Sequence, residues 1–386
     1  MTLLLFLGLL LNGMSETGFE NFLKSLQKQT AAKRDETVKN YLHKKKNLPL
    51  IENDSLVHFI WYGTANQVFL AGDLQGWAYQ DSMNKIPCGG KTLFYKSFIL
   101  PSDSRVDYRF VVDGIDVYDP GNPRRVPGLG PHSELVMPDF KFTNYTKYRE
   151  NINHGRLDSL FFSSKNEEIE DRPMKIYLPS DYDASDDLPL LFVNDGFEAL
   201  ENSHYKNVLD NLIAERKIVP IVAVFIPPVD RDEEYVWTKN DMFFSALTQE
   251  ILPLISKRYK VTSQARNRAI MGVSNGGHLA LAIGFVHPEL FCKVAGQSST
   301  LDPSLYEKLA EFKKKRAACP EFKLYLDVGR YDLNTRWSYL ETHREFHQKL
   351  LEYQIPHIYQ EFYDGHEWAG WRERTEQILL FFYGIE

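Results

Sequence analysis

The spacing of apolar residues changes rhythm along the chain, and each change marks a different kind of structure. From Ser15 to about Leu50 apolar side chains are sparse. Phe19, Phe22, Leu23 and Leu26 nonetheless recur at helical spacing, which predicts one amphipathic helix and a polar linker ending at Asn47-Leu48-Pro49. Between about 54 and 140 the chain becomes a series of short β-rich runs, at 57–61, 67–70, 93–100, 108–112 and 115–118. Asp113-Gly114 separates the last two and signals a hairpin, because glycine tolerates the positive φ of the turn. Beyond about 150, β-rich runs alternate with helical stretches. The runs 175–178, 190–193, 221–226, 269–271, 293–295, 323–328 and 358–362 predict strands, and 244–259 and 339–353 predict helices between them. The expected fold class is therefore α/β, with a mostly parallel sheet at 150–386, a small all-β sandwich at 54–140, and an apolar start, helix and linker at 1–53.

Composition narrows what such a chain can do. With 386 residues, 43% hydrophobic and 25% charged, it is neither a fibrous nor a disordered sequence. The net charge of −7 supplies no basic face for phosphate backbones, and the lysine runs at 44–46 and 313–315 read as solvated surface, so nucleic acid is not an expected partner. Cys88, Cys292 and Cys319 lie far apart, indicating neither a disulfide framework nor a zinc ribbon, and no metal-site motif occurs. No metal or other cofactor is expected. The apolar run at 3–11 is too short to span a bilayer, so no membrane span is expected. It lacks a preceding Lys or Arg and a following small-residue cleavage site, so the expectation is a cytoplasmic protein starting at Met14, with export through a signal peptide as the alternative.

The chemistry is concentrated in Gly272-Val-Ser-Asn-Gly276, a G-x-S-x-G sequence between a predicted strand and a predicted helix. A sharp strand-to-helix turn exposes a serine oxygen only if small flanking residues let the backbone pass closely, which makes Ser274 the candidate nucleophile. A serine hydroxyl needs a base oriented by a carboxylate. His366, in the loop Asp364-Gly-His-Glu-Trp368 after the last strand, is the candidate base, and Asp332 in Gly329-Arg-Tyr-Asp332 the candidate acid, with Asp327 and Asp364 as competing carboxylates. The oxyanion donors are expected from the N–H of Asn275, at the start of the helix, and of Phe197 or Gly196 in the loop after the 190–193 strand.

Those residues together resemble a known group. Lys175-Ile-Tyr-Leu-Pro-Ser-Asp-Tyr182, 190–196, 272–277 and Gly365-His-Glu-Trp368 followed by Trp371-Arg372 resemble the esterase D-like branch of the α/β-hydrolase superfamily. Ala71-Gly-Asp-Leu-Gln-Gly-Trp77, 119–123 and 133–138 resemble the early-set, glycogen-binding-like sandwich that precedes the hydrolase domain in bacterial enterochelin esterases. The resemblance covers roughly 54–386. It implies a serine esterase that cleaves a small-molecule ester, and within the family a catecholate siderophore triester. Feruloyl or acetyl esterase action on carbohydrate is the alternative, as is a non-catalytic carbohydrate-binding scaffold on a vestigial hydrolase fold. Arg231 is a candidate for attracting an anionic substrate, or else a partner for a neighbouring carboxylate, and Trp368 is a second substrate-binding candidate. Trp61 and Trp77 offer stacking surfaces or core packing.

Overall fold

The computed structural model describes residues 17–385 except 46, 79–80, 127–129, 317–318 and 334–337, so the apolar run at 3–11 and the Met14 start lie outside the described residues. The chain divides after Phe140 into two units.

In the first unit the expected single helix is a pair, Gly18–Gln27 and Ala31–His43. Thr17 starts the first with a reciprocal cap, accepting from Glu20 N–H at 3.2 Å while Thr17 N–H donates to the Glu20 carboxylate at 3.3 Å. The pair is not a linker. Phe19, Phe22 and Leu26 are buried in one cluster with Val38, Ile60, Cys88 and Leu93, so the apolar stripe faces the β module rather than water. That module holds two antiparallel sheets. One runs Leu50–Glu52, Leu56–Gly63, Lys91–Ile99, Asn84–Cys88; the other runs Val68–Gly72, Arg105–Val112, His132–Val136, Arg125–Val126, with Ile115–Val117 added to Arg105–Val112. Asp113 and Gly114 both take positive φ, 48° and 86°, as a tight hairpin between right-twisted strands requires. The Phe59 and Tyr108 rings, one from each sheet, meet edge to face at 4.7 Å. Trp61 packs edge-on against Phe94, and Trp77 packs on His132 while its indole N–H donates to Asp73 at 3.1 Å; both rings remain half-buried.

The second unit is built on eight strands: β1 Arg156–Phe162, β2 Arg172–Leu178, β3 Leu190–Asn194, β4 Val222–Ile226, β5 Arg268–Val273, β6 Lys293–Gln297, β7 Lys323–Gly329 and β8 His357–Phe362. Their spatial order is β1-β2-β4-β3-β5-β6-β7-β8. β1 and β2 pair antiparallel, β2 joins β4 antiparallel, and every pair from β4 to β8 is parallel. Alternate residues of the central strands feed two cores, Phe192, Val224 and Ile270 on one face and Val193, Phe225 and Met271 on the other. β1 escaped the sequence pattern because it is an edge strand that leaves Leu157 and Phe161 exposed and so does not alternate cleanly. The helix expected over 244–259 is interrupted. Asn240–Ala246 passes through a π turn, Leu247–Ile251, into Leu252–Arg258, because Pro253 has no N–H to return and its ring crowds the carbonyl four residues earlier.

Cys292 and Cys319 form a disulfide with Cα atoms 6.0 Å apart, a pairing their distance in sequence concealed. Each immediately or closely precedes a strand, β6 and β7, and those strands are parallel neighbours in register from Lys293 and Lys323. Cys88 is free and buried. Among the described residues no helix is long and apolar enough to cross a membrane.

Candidate active site

The C-terminal ends of β3, β5, β7 and β8 all deliver candidate residues to one rim of the sheet, where open α/β sheets place sites. The turn out of β5 is the tightest. A Cβ on Gly272 would lie 2.3 Å from the Gly276 carbonyl oxygen, so the strand can fold onto the first turn of helix α3 (Ser274–Val286) only with glycine there. Ser274 itself takes φ 53°, a left-handed conformation that costs a non-glycine residue of order 1–3 kcal/mol and aims its side chain off the strand.

His366 bridges serine and acid. Its Nε2 lies 2.9 Å from Ser274 Oγ and its Nδ1 2.8 Å from Asp332 Oδ1. A carboxylate only accepts, so Nδ1 carries the proton and Nε2 is left to receive the serine O–H. Asp332 is fully buried, whereas the imidazole remains partly open to solvent. The loops carrying acid and base are stitched together: Arg330 N–H donates to the Phe362 carbonyl at 2.6 Å and Tyr331 N–H to the Asp364 carbonyl at 2.9 Å. The competing carboxylates are held elsewhere. Buried Arg374 pairs with Asp327 at 3.1 Å and with Asp364, and burial pushes the Asp327 carboxyl up to about 6.

Two aromatic rings, unassigned by sequence reasoning, fix the imidazole. Tyr339 lies against it at 4.4 Å between centroids, and Trp371 meets it edge-on at 4.9 Å, its own N–H anchored on Ser298 Oγ at 3.1 Å. The signal for Trp371 in the sequence was its place in the Trp371-Arg372 pair after Gly365-His-Glu-Trp368, part of the stretch that carries the family resemblance. Trp368 packs edge-on against Trp371 at 5.4 Å and against the core. Other histidines have partners away from Ser274: His278 meets the Thr300 carbonyl, His287 meets Glu289, and His347 meets His357. His343 is fully buried between the Ser299 N–H, 3.0 Å from Nε2, and the Tyr339 carbonyl, 2.7 Å from Nδ1, and burial pushes it down to about 4.

The expected oxyanion donors sit at two helix starts. Asn275 is the second residue of α3, and Gly196 and Phe197 open the short helix α1 (Gly196–Asn202), whose first backbone bond is Ala199 N–H to Asp195. The N–H groups of Gly196 and Phe197 thus have no acceptor within the helix. A Cβ on Gly196 would lie 2.3 Å from Ile226 N, so the loop packs onto β4 only with glycine there.

Arg231 opens helix α2 (Arg231–Tyr235), and the structure engages it on a carboxylate instead of leaving it as a free cation for substrate. Its Nε and Nη2 hold the two oxygens of Asp195 at 2.6 and 2.9 Å. The same helix reaches both donor segments. Asn275 Nδ2 donates to Asp232 at 2.7 Å, Thr300 Oγ1 donates to Asn275 Oδ1 at 2.5 Å, and Asp195 N–H donates to Tyr235 Oη at 3.0 Å.

Comparison with known proteins gives the geometry a context. A family described as "Putative esterase" matches residues 167–382. An endo-1,4-beta-xylanase/feruloyl esterase of Xylanibacter ruminicola is 27% identical over 198 residues, which are 48% of this chain and 27% of that protein, so the match spans about a quarter of that relative's length. The enterobactin esterase of Shigella flexneri, solved in the presence of enterobactin, shares the fold with a TM-score of 0.70 at 20% identity, over 88% of this chain and 97% of that one. A ferulic acid esterase from Anaeromyces mucronatus, in complex with ferulic acid, matches with a TM-score of 0.51 at 19% identity, over 63% of this chain and 94% of its own.

Proposed function

The chain belongs to this esterase family, whose members are carboxylic ester hydrolases, and we propose that it is a serine esterase in which Ser274, His366 and Asp332 carry out the hydrolysis. The observation that carries this reading is the position of His366, within hydrogen-bond reach of both Ser274 Oγ and Asp332 Oδ1. His366 Nε2 takes the serine proton as Oγ attacks the ester carbonyl, and the imidazolium that forms is stabilised by Asp332 through Nδ1–H. The carbonyl oxygen gains charge and is held by the N–H of Asn275 and of Phe197 or Gly196; each such donor contributes roughly 10²–10³ in rate in enzymes of this type. His366 then protonates the leaving alcohol. Water, deprotonated by the same nitrogen, attacks the acyl-enzyme and regenerates Ser274.

For substrate, we propose the ester of an aromatic acid, and within that class a catecholate triester of the enterobactin type. The span of the likeness to enterobactin esterase, across both units of the chain, supports this choice. One observation favours a feruloyl ester instead: Arg231, the cation that sequence offered to an anionic catecholate, already has its charge matched by Asp195.

The test is labelling with a fluorophosphonate followed by peptide mapping. The adduct is expected on Ser274, and Ser274→Ala is expected to abolish it and to lower aryl acetate turnover by 10³-fold or more with the fold intact. Folded protein that takes no label would reject the enzyme reading in favour of the carbohydrate-binding scaffold. Turnover on a ferric catecholate triester, a feruloylated sugar and simple acetates separates the substrate classes.

A further inference from the structure

A second serine, histidine and carboxylate lie in hydrogen-bonding sequence within the first unit, beside a cavity. His58 Nδ1 is 2.7 Å from Ser97 Oγ, and His58 Nε2 is 3.1 Å from Glu52 Oε2. The cavity, about 160 Å³, lies between the first helix and the Leu56–Gly63/Lys91–Ile99 strand pair. Phe19, Leu23, Leu56 and Phe98 supply apolar wall, and Ser97 and His58, with Glu20 and Tyr95, supply its polar groups.

The resemblance to the Ser274 arrangement stops at the relay. Ser97 sits in mid-strand directly across from His58, in a Lys91–Ile99 strand that is followed by no helix start, so no paired backbone donors are available to hold an oxyanion. What the relay does fix is proton direction. Glu52 also accepts the Phe19 N–H, at 3.2 and 3.3 Å, and acts as acceptor toward His58 Nε2–H. His58 Nδ1 is then the acceptor, and the Ser97 O–H is spent on it. The lone pairs of Ser97 Oγ receive no donor from the described residues, and they border the cavity. Burial, which holds His58 below the ordinary imidazole range, keeps this neutral tautomer in place. An apolar cavity of about 150 Å³ is known to accept a benzene ring. Here the same size ends in a hydrogen-bond acceptor.

We propose that this cavity binds a phenolic ring, its hydroxyl donating to Ser97 Oγ and its carbon faces lying against Phe19, Leu23, Leu56 and Phe98. The cavity is formed entirely by residues of the first unit, and its test uses the full chain carrying Ser274→Ala, so that ester chemistry is silent. Fluorine NMR titration should show 4-fluorophenol binding about tenfold more tightly than fluorobenzene. Ser97→Val, whose methyls replace the hydroxyl and cover His58 Nδ1, should erase that preference, and Leu23→Trp, which fills the cavity, should remove binding of both. In crystals soaked with 4-bromophenol the anomalous bromine peak should lie between Leu23 and Ser97. Equal affinity for the two probes, binding unchanged by Leu23→Trp, or a bromine peak only elsewhere would each overturn the proposal.

Discussion

Arg231 and Asp195 face each other as a fork on a fork, Nε to Oδ1 at 2.6 Å and Nη2 to Oδ2 at 2.9 Å, and the same Nη2 reaches the Val273 carbonyl at 3.2 Å. Asp195 precedes Gly196 and Phe197, and Val273 precedes Ser274, so one guanidinium spans the two backbone segments that carry the proposed oxyanion donors. Lysine keeps the charge but cannot hold both oxygens in one plane. Arg231→Lys is therefore expected to lower kcat on an aryl ester by roughly 10–10² with KM nearly unchanged. A raised KM at constant kcat would instead place Arg231 on the substrate.

Asp332 alone among the three nearby carboxylates touches His366. Asp332→Asn should leave the chain folded and reduce kcat by about 10³–10⁴, the scale set by loss of the correct imidazole tautomer. Asp327→Asn and Asp364→Asn remove partners of buried Arg374, and their expected effect is on unfolding midpoint. Steady-state kinetics and thermal unfolding on the three variants check this. A reversed pattern, with Asp332→Asn active and one of the others dead, would move the acid.

Burial of His343 couples stability to acid. Its imidazole is held neutral down to about 4, whereas in the unfolded chain it titrates near 6.5. Its folded pKa is the lower one, so its contribution is whole above pH 6.5 and is lost as pH falls from 6.5 toward 4, by roughly 3 kcal/mol. Denaturant unfolding measured across that interval should show a shallower loss for His343→Gln than for the parent. Parallel curves for the two would place the titration elsewhere.

The Cys292–Cys319 bond closes a loop of 27 residues. Cross-links of that span stabilise by roughly 3.5 kcal/mol through loss of unfolded-state freedom. Addition of reductant should lower the unfolding midpoint of the second unit correspondingly, and Cys319→Ser should reproduce the shift and make it insensitive to reductant. An unchanged midpoint would show that the thiols are unpaired in solution.

Several features were legible because they depend on a few adjacent residues. The elbow at Gly272–Gly276 demands small residues at two named positions, the Asp113-Gly114 turn demands positive φ, and the central strands are apolar because both faces are covered. Each is written within a window of a few residues. The second N-terminal helix was harder to read, since Ala31–His43 buries only Val38 fully and its apolar stripe is weak.

By itself the sequence determined the alternation of strands and helices in the second unit, the tight turn at Gly272–Gly276, and the short set of candidate residues from which acid, base and oxyanion donors could be drawn. Tertiary structure decided which of Asp327, Asp332 and Asp364 meets His366, that Arg231 turns to Asp195, that Trp371 and Tyr339 wedge the imidazole, and that Cys292 joins Cys319. The physical reason is range. Backbone turns and strand burial follow from neighbours along the chain, whereas a hydrogen bond or ion pair forms only between groups brought within about 3 Å, and the strand order and loop stitching that set such distances are properties of the whole sheet.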